Sequence, residues 1–274
     1  MNTFKIITDP IQRTVIYYPE NIKLSPAWSY PLLFIFVTKD FHPEELRQLK
    51  KVLSRTESER SQRFRFRNDR DSYIIVHGLL RMMLSTFLGI PAAALDIRYN
   101  EFGKPYLPGE NAGVFFNLSH SSGVSVLAFS RGSEIGVDVE KINPAFDYLP
   151  VAERFFTPSE LRYIRREKAF PYERFFEIWT RKEAFLKAIG VGITEHLDVE
   201  VSENRNTFQL NGETAGMTFS SNEFMLNTLT FQQKYIITLA VNPAFGRIDA
   251  FIPGKKGNAR FIPEAVLTPP DLAI

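Results

Sequence analysis

The sequence predicts an α+β fold, because in each half of the chain a helical segment precedes a series of short strands. In the first half, apolar side chains recur every three or four residues over 69–88, which is the period of an α-helix. Each half ends in a short apolar run, VSVLAFS at 124–130 and YIITLAV at 235–241. This order suggests an internal duplication, although two apolar strands of this length resemble each other easily.

The first predicted unit covers residues 1–133. Its helix at 69–88 begins with acidic residues, which suit the positive end of the helix dipole, and it stops at Gly89 and Pro91. In chain order the unit contains a buried strand at 30–37, a charged helical segment at 41–66, the helix at 69–88, and strands at 95–100 and 113–130.

The second predicted unit covers residues 134–242. The segment Thr157-Pro158-Ser159-Glu160 has the pattern of a helix N-terminus, with proline in the first turn and an acid close behind. The unit contains a strand at 135–142, helices after Thr157 and at about 172–189, and strands near 197–202, 206–210, 216–220, 224–231 and 234–241. Residues 243–274 hold five of the 17 prolines, and we expect them to form a Pro-rich extended tail.

Composition excludes several classes of function. The chain has no cysteine, so disulfides, thiolate metal sites and cysteine nucleophiles are ruled out. A net charge of +2 is too small to indicate general nucleic-acid binding. Neither a signal peptide nor an apolar stretch of about 20 residues is visible. We therefore expect a cytoplasmic protein that binds neither nucleic acid nor membrane.

The strand at 135–142 carries a pair of acidic residues. Because side chains alternate along a strand, Asp138 and Glu140 share one face, about 6–7 Å apart. Two carboxylates at that distance repel each other unless a cation or a proton lies between them. Oxygen ligands of this kind suit Mg²⁺. The alternative is an amphipathic strand with a solvated acidic face.

A third acid lies on the helix at about 172–189. Glu183 is close to the apolar stripe that contains Phe176 and Trp179, where an unsatisfied carboxylate is costly. It is followed four residues later by Lys187. One interpretation is a carboxylate and a cation directed at the same site. The other is a surface ion pair on one helix, worth about 0.3–0.5 kcal/mol.

Three further segments carry candidate phosphate ligands. In the turn NLSHSSG, Ser119 and His120 have the donors of a phosphate-binding turn, and a solvated turn is the alternative. A serine nucleophile with histidine as base is disfavoured, because adjacent strand residues point to opposite faces. Gly103-Lys104-Pro105 predicts a tight turn that presents one cation. Six arginines between 55 and 70 suit phosphate, although they are also typical of a solvated helix face.

The order of these motifs is more specific than any one of them. An Arg-rich RFRF segment is followed by FGKPYL, FNLSHS, IGVDVEKI, RFFTPSE and FFEIWTRKEAFLKAIGVGI, over roughly residues 50–195. This series resembles the Sfp-type (surfactin-synthetase-type) 4′-phosphopantetheinyl transferases. The resemblance implies two similar α+β halves related by a pseudo-two-fold, with the active site between them. It also implies transfer of the phosphopantetheine arm of coenzyme A (CoA) to a serine of an apo acyl or peptidyl carrier protein, which leaves adenosine 3′,5′-bisphosphate.

The resemblance also implies roles for individual residues. Asp138, Glu140 and Glu183 resemble the Mg²⁺ ligands, and Glu183 is also the candidate base for the carrier serine. Lys187, Ser119 and His120 resemble phosphate contacts, and Lys104 and Pro105 match the loop along the adenine nucleotide. For the 3′-phosphate the expected residues are Arg60, Arg63 and Arg70, while Glu57 stands where some relatives place a basic residue. The catalytic set is thus Glu183, Lys187 and Asp138.

Three hypotheses follow for the whole chain. The first is the Mg²⁺-dependent transferase, expected to be a monomer because both halves lie in one chain. The second is a non-enzymatic module that binds CoA or a nucleotide. The third is nucleic-acid binding through the arginine run, against which the small net charge argues.

Overall fold

The computed structural model describes residues 2–7, 13–17, 28–192, 199–202, 206–210, 223–245 and 247–252. Its strands are β1 (Asn2–Ile7), β2 (Arg13–Tyr17), β3 (Leu32–Val37), β4 (Arg98–Tyr99), β5 (Pro105–Tyr106), β6 (Val114–Ser121), β7 (Val124–Arg131), β8 (Gly136–Lys141), β9 (Asn206–Leu210), β10 (Glu223–Phe231), β11 (Tyr235–Val241) and β12 (Arg247–Phe251). Its α-helices are α1 (Pro43–Lys51), α2 (Arg55–Gln62), α3 (Arg67–Leu88), α4 (Leu149–Phe155), α5 (Pro158–Arg166) and α6 (Pro171–Ile189). No helix in these described ranges combines the length and apolar character needed to cross a membrane.

The two halves repeat one topology. In the first, β3 leads into three helices and then into the antiparallel hairpin β6–β7, with sheet order β3-β7-β6. In the second, β8 leads into three helices and then into the antiparallel hairpin β10–β11, with sheet order β8-β11-β10. The prediction of an α+β fold with two similar halves is confirmed.

Strands near the two ends of the described chain join the sheet of the opposite half. β1 pairs in parallel with β10, and β12 pairs in parallel with both β2 and β3. Residues 247–251, which we expected in an extended tail, therefore form a strand within a sheet. Residues 253–274 lie outside the described residues, as do the predicted strand at 216–220 and the start of the one at 197–202. The boundaries at 133 and 242 stay a prediction.

Local sequence explains how the two long helices and the short helices before them begin and end. α2 starts at a capping box formed by Ser54 and Glu57, and α5 starts at an equivalent box formed by Thr157 and Glu160. The predicted helix at 41–66 is accordingly divided into α1 and α2 just before this cap. α3 ends at Gly89 with φ 67°, and α6 ends at Gly190 with φ 73°, a left-handed conformation that favours glycine.

Apolar side chains form three clusters. One packs α3 against the first sheet, and it includes Phe34 and Phe36 of β3. A second packs α4, α5 and α6 against the second sheet. The third combines both sheets, because Leu33 of β3 and Val137 and Val139 of β8 belong to it together. The halves therefore share an apolar core, which fixes the edge strand β6 beside the edge strand β8.

Candidate active site

Strand β8 presents its acidic face to helix α6. Gly136 allows this close approach, since a Cβ there would lie 2.0 Å from the carbonyl oxygen of Ala184 and 2.4 Å from the backbone nitrogen of Ala188. The apolar residues of β8 face the shared core, as the alternation predicted. Asp138, only 3% exposed, thus lies against the helix that carries Glu183 and Lys187.

Asp138 is the centre of the charged cluster. Its Oδ1 atom accepts hydrogen bonds from Lys187 Nζ at 2.6 Å and from Ser119 Oγ at 2.8 Å. Its Oδ2 atom is buried and has no hydrogen-bond partner among the described residues. Lys187 forms its ion pair with Asp138, on another element, and not with Glu183 along its own helix. A cation and a buried carboxylate from different elements therefore meet at one point.

Glu183 and Lys187 titrate under each other's influence. Burial, followed by the charge of Asp138, raises the pKa of Glu183 to about 8. Burial alone would lower the pKa of Lys187, but the charges of Asp138 and Glu183 raise it above its ordinary value. Glu183 is 7% exposed, and its carboxylate makes no hydrogen bond to the described residues. The charge of Lys187 lowers the pKa of Glu183, but burial and the charges of Asp138 and Glu140 outweigh it.

The third acid of the cluster is Glu140, at the more open end of β8. Its Oε2 atom accepts a hydrogen bond from Ser121 Oγ at 2.9 Å. Burial and the charge of Asp138 raise the pKa of Glu140. This mutual repulsion is the condition under which a divalent cation is stabilising.

The donor set fits Mg²⁺ in its chemistry. All three acids offer hard oxygen ligands, and Asp138 has a buried oxygen with no partner in the described structure. Among the described residues, however, no group of three His, Asp or Glu side chains forms an assembled metal centre. The geometry thus shows an acidic cluster with free oxygens, and its use as a metal site is a proposal.

A cavity of about 420 Å³ opens between the halves next to Lys187. Five residues from the candidate set line it together: Arg60, Lys104, Pro105, His120 and Lys187. Five aromatic side chains also line it, from the segment between α2 and α3, from α3, from β4 and from the loop after β4: Phe64, Tyr73, His77, Tyr99 and Phe102. The cavity therefore combines aromatic side chains with the cationic side chains of Arg60, Lys104 and Lys187.

The loop between β4 and β5 is attached to the C-terminal turn of α6. Asn100 Nδ2 donates to the carbonyl of Gly190 at 2.7 Å, while Asn100 Oδ1 accepts from the backbone N–H of Lys104 at 2.8 Å. The ammonium group of Lys104 donates to the carbonyl of Ala188. Burial lowers the pKa of Lys104 to about 8. In this structure Lys104 lines the cavity while its charged end binds the helix terminus.

The three candidate arginines are distributed unequally. Arg60 lines the cavity and lies over the ring of Tyr73, 5.8 Å from its centroid. Arg63 lies outside the cavity, in a separate depression on α2 that it shares with Arg60. Arg70 lines neither the cavity nor this depression, and its Nε atom lies 3.6 Å from Oδ1 of Asp71. The structure brings Arg60 to the site, and the roles of all three stay a prediction.

Glu57 has a structural position. Its carboxylate is buried, caps the N-terminus of α2, and accepts a hydrogen bond from Arg81 Nε at 2.6 Å. Burial opposes ionisation, but His77, Arg81 and the backbone N–H of Ser54 together lower the pKa of Glu57 to about 2. Glu57 thus joins α2 to α3, the two helices that bring Arg60 and Tyr73 to the cavity.

Four residues beside the site, Tyr73, His77, Tyr99 and Asn100, are not among those that the sequence motifs single out. Ser121 belongs to the NLSHSSG turn, but its hydroxyl binds Glu140, which the sequence does not predict. The spacing of Tyr73 and His77, one helical turn apart beside the arginine run, is the signal that was available.

A second and larger cavity, of about 710 Å³, adjoins the acidic cluster on its other side. Glu140 and Ser121 lie at one end of it. Its apolar lining comes from the segment after β8 and from α4 and α6: Ile142, Phe146, Val151, Phe175, Phe176 and Trp179. The charged cluster therefore contacts both cavities, the apolar one through Glu140 and the aromatic, cationic one through Lys187.

Comparison with known proteins agrees with this geometry. A family model described as the 4′-phosphopantetheinyl transferase superfamily matches residues 134–240, and one described as 4′-phosphopantetheinyl transferase, N-terminal, matches residues 40–131. The 4′-phosphopantetheinyl transferase HetI of Nostoc sp. is 34% identical over 202 residues, covering 70% of this chain and 81% of that protein. The 4′-phosphopantetheinyl transferase gsp of Aneurinibacillus migulanus is 35% identical over 144 residues, covering 51% of this chain and 58% of that protein. The 4′-phosphopantetheinyl transferase Sfp of Bacillus subtilis is 28% identical over 165 residues, covering 60% of this chain and 72% of that protein.

The chain belongs to the 4′-phosphopantetheinyl transferase superfamily. The family that the order of the sequence motifs suggested is confirmed.

Proposed function

We propose that this chain transfers the 4′-phosphopantetheine arm of CoA to a serine of an apo acyl or peptidyl carrier protein and releases adenosine 3′,5′-bisphosphate. Family membership supports the reaction class. The observation that carries the proposal for these residues is the meeting of Asp138, Glu183 and Lys187 at the end of an aromatic cavity.

The 420 Å³ cavity has the chemistry of an adenine nucleotide site. The exposed rings of Tyr99 and Phe102 offer stacking surfaces for a base. Arg60, His120 and Lys187 supply donors for phosphate oxygens. We assign the nucleotide of CoA to this cavity, with its diphosphate nearest Lys187.

The side chains that would hold Mg²⁺ are Asp138, Glu140 and Glu183. When bound there, the ion supplies charge neutralisation to the diphosphate and to the leaving bisphosphate. Lys187, held by Asp138 at 2.6 Å, contributes a positive charge that is already in place before the substrate arrives.

Each bond change has an assigned group. The carrier serine oxygen forms a bond to the phosphorus of the phosphopantetheine phosphate, and the bond from that phosphorus to the oxygen of the bisphosphate breaks. Glu183 accepts the proton of the serine hydroxyl, directly or through one water, because it is a carboxylate in the cluster without a hydrogen-bonded partner in the described structure. Removing one such contributor typically costs about 10²–10³ in rate.

The 710 Å³ cavity is suited to the uncharged arm. It is predominantly apolar, and it begins at Glu140, beside the reacting phosphate. We assign the pantetheine chain to this cavity, which separates the arm from the nucleotide and aligns the phosphate between them.

The test is transfer of a fluorescent CoA arm to apo carrier proteins from fatty-acid, polyketide and non-ribosomal-peptide synthesis, with Mg²⁺. We expect labelling of at least one carrier class, with release of adenosine 3′,5′-bisphosphate in equal amount. CoA binding without labelling of any of the three classes would contradict the transferase and favour the binding module.

A further inference from the structure

The edge strand β6 presents every second side chain to the edge strand β8. Asn117 Oδ1 accepts the backbone N–H of Val137 at 3.1 Å. Ser119 Oγ lies 2.8 Å from Oδ1 of Asp138, and Ser121 Oγ lies 2.9 Å from Oε2 of Glu140. The two-residue period of one strand thus matches the two-residue period of the acids on the other.

The direction of each serine proton follows from its second neighbour. Lys187 Nζ lies 3.1 Å from Ser119 Oγ, and an ammonium group only donates, so the serine oxygen accepts there and its proton goes to Asp138. The backbone N–H of Lys141 lies 3.2 Å from Ser121 Oγ, so that oxygen also accepts, and its proton goes to Glu140.

Each hydroxyl therefore fixes one oxygen of one carboxylate. For Asp138 the fixed atom is Oδ1, and Oδ2 stays buried with no hydrogen-bond partner among the described residues. For Glu140 the fixed atom is Oε2, and Oε1 makes no hydrogen bond within the described chain.

We propose that Ser119 and Ser121 are positioning residues that hold the carboxylates of Asp138 and Glu140 so that one oxygen of each stays available to the metal ion. The inference rests on the proposed function, and it gives Ser119 a different role from the phosphate contact that the resemblance implied. The residues that orient the acids of the second half come from the first half, so the two halves complete one site. Removing an outer partner of a metal ligand typically lowers metal affinity 10- to 100-fold.

Ser121 gives the sharper test, because Ser119 also contacts Lys187. We compare the full chain with the variants Ser121→Ala, which removes the hydroxyl, and Ser121→Thr, which keeps it. Ser125→Ala is the matched control: Ser125 lies on the adjacent strand β7 and is buried, and its hydroxyl has no partner among the described residues. The probe is Mn²⁺, titrated against protein with CoA present and followed by the electron paramagnetic resonance of free Mn²⁺.

We expect Ser121→Ala to raise the Kd for Mn²⁺ about 10- to 100-fold. Ser121→Thr and Ser125→Ala should keep a Kd for Mn²⁺ within about threefold of that of the wild-type chain, and in Ser125→Ala the Kd for CoA measured without metal should change by less than about twofold. Ser119→Ala provides a second variant, with the same expected loss of Mn²⁺ affinity.

Two results would overturn the inference: wild-type Mn²⁺ affinity in both alanine variants, or a loss in Ser121→Ala that Ser121→Thr does not restore. Failure of the proposed function gives a different pattern. In that case the wild-type chain itself binds no Mn²⁺ in the presence of CoA, and the serine variants do not differ from it.

Discussion

The two halves contain the same buried ion pair at equivalent places. Arg81 lies eight residues before Gly89, the cap of α3, and Lys182 lies eight residues before Gly190, the cap of α6. Arg81 pairs with Glu57 at 2.6 Å, and Lys182 pairs with Glu160 at 2.8 Å. In each pair the glutamate also completes the capping box of the preceding short helix. The ion pair therefore joins α2 to α3 in the first half and α5 to α6 in the second.

The halves differ in what the long helix meets on the sheet. Val37 is paired with the first residue of β7, and Lys141 with the first residue of β11, so these strand ends correspond. The residues one and three positions before these strand ends also correspond. Phe36 therefore occupies the place of Glu140, and Phe34 the place of Asp138. In the same way Met82, seven residues before its cap, occupies the place of Glu183.

This difference shows how one architecture holds either a dry core or a charged site. In the first half the three places are apolar and buried, so packing alone satisfies them. In the second half, hydroxyls from the opposite half bind Asp138 and Glu140, and Lys187 from α6 pairs with Asp138. The charge of Lys187 also lowers the pKa of Glu183. The charged version therefore depends on the seam between the halves, whereas the apolar version does not.

The largest expected effect is on catalysis. Glu183→Gln and Asp138→Ala should each lower the initial rate of transfer by about 10²–10³ or more, because each removes charge from the reacting centre. Met82→Leu, at the corresponding place in the first half, should leave the rate within about twofold. The measurement is labelling of an apo carrier by a fluorescent CoA arm, with circular dichroism to verify folding. Near-wild-type turnover in either acid variant would contradict the role assigned to that acid.

The next effect is on stability. Lys182→Met and Arg81→Met should each lower the free energy of unfolding by about 3–5 kcal/mol, since each leaves a buried carboxylate without its cation. The effect of Lys182→Met should be the larger, because Glu160 and Lys182 are both 0% exposed while His77 also lies near Glu57. The control is Arg47→Ala, which breaks an exposed pair with Glu44. This variant should change the free energy of unfolding by less than about 0.5 kcal/mol. Urea denaturation measures all three, and equal small losses would show that the buried pairs do not fasten the helices.

The two pairs should respond to acid in opposite ways. The pKa of Glu57 is lowered to about 2, so its contribution is present above about pH 4.5 and is lost as the pH falls towards 2. The pKa of Glu160 is raised, by burial in the first place, so its linked contribution is largest at low pH and declines as the pH rises through its folded pKa. The stability lost in Glu57→Gln should therefore shrink between pH 5 and 2 by about 3 kcal/mol, and that lost in Glu160→Gln should not shrink. Urea denaturation over this pH range measures both losses. The same trend with pH in both variants would contradict the opposite pKa shifts assigned to Glu57 and Glu160.

The smallest effect concerns the loop that joins the halves beside the cavity. Asn100→Ala removes the hydrogen bond to Gly190 and the two that Asn100 Oδ1 accepts from the backbone N–H groups of Phe102 and Lys104, each worth about 1 kcal/mol. It should raise KM for CoA at least about fivefold with kcat unchanged. Asn111→Ala is the control, because its side chain makes no hydrogen bond to the described residues. Steady-state kinetics with CoA varied separates the two parameters. A fall in kcat at constant KM would place Asn100 in the chemical step instead.

Sequence patterns predicted the parts of the fold that depend on local periodicity. The helix predicted at 69–88 is α3, and the alternation over 135–142 correctly placed Asp138 and Glu140 on one face. The exchange of β1 and β12 between halves was not predictable, because strand pairing depends on segments far apart in the chain. The contacts of Ser121 and Asn100 were not predictable either, because their partners lie 19 and 90 residues away in the chain.

The central claim is that the acids and Lys187 of the second half and the serine hydroxyls of the first half meet around the diphosphate of CoA. Anomalous diffraction from crystals grown with CoA and Mn²⁺ tests it most directly. We predict one Mn²⁺ peak in contact with Asp138 and with the diphosphate, and the adenine ring in the cavity lined by Tyr73 and Tyr99. A nucleotide bound elsewhere, or a metal peak remote from Asp138, Glu140 and Glu183, would contradict the claim.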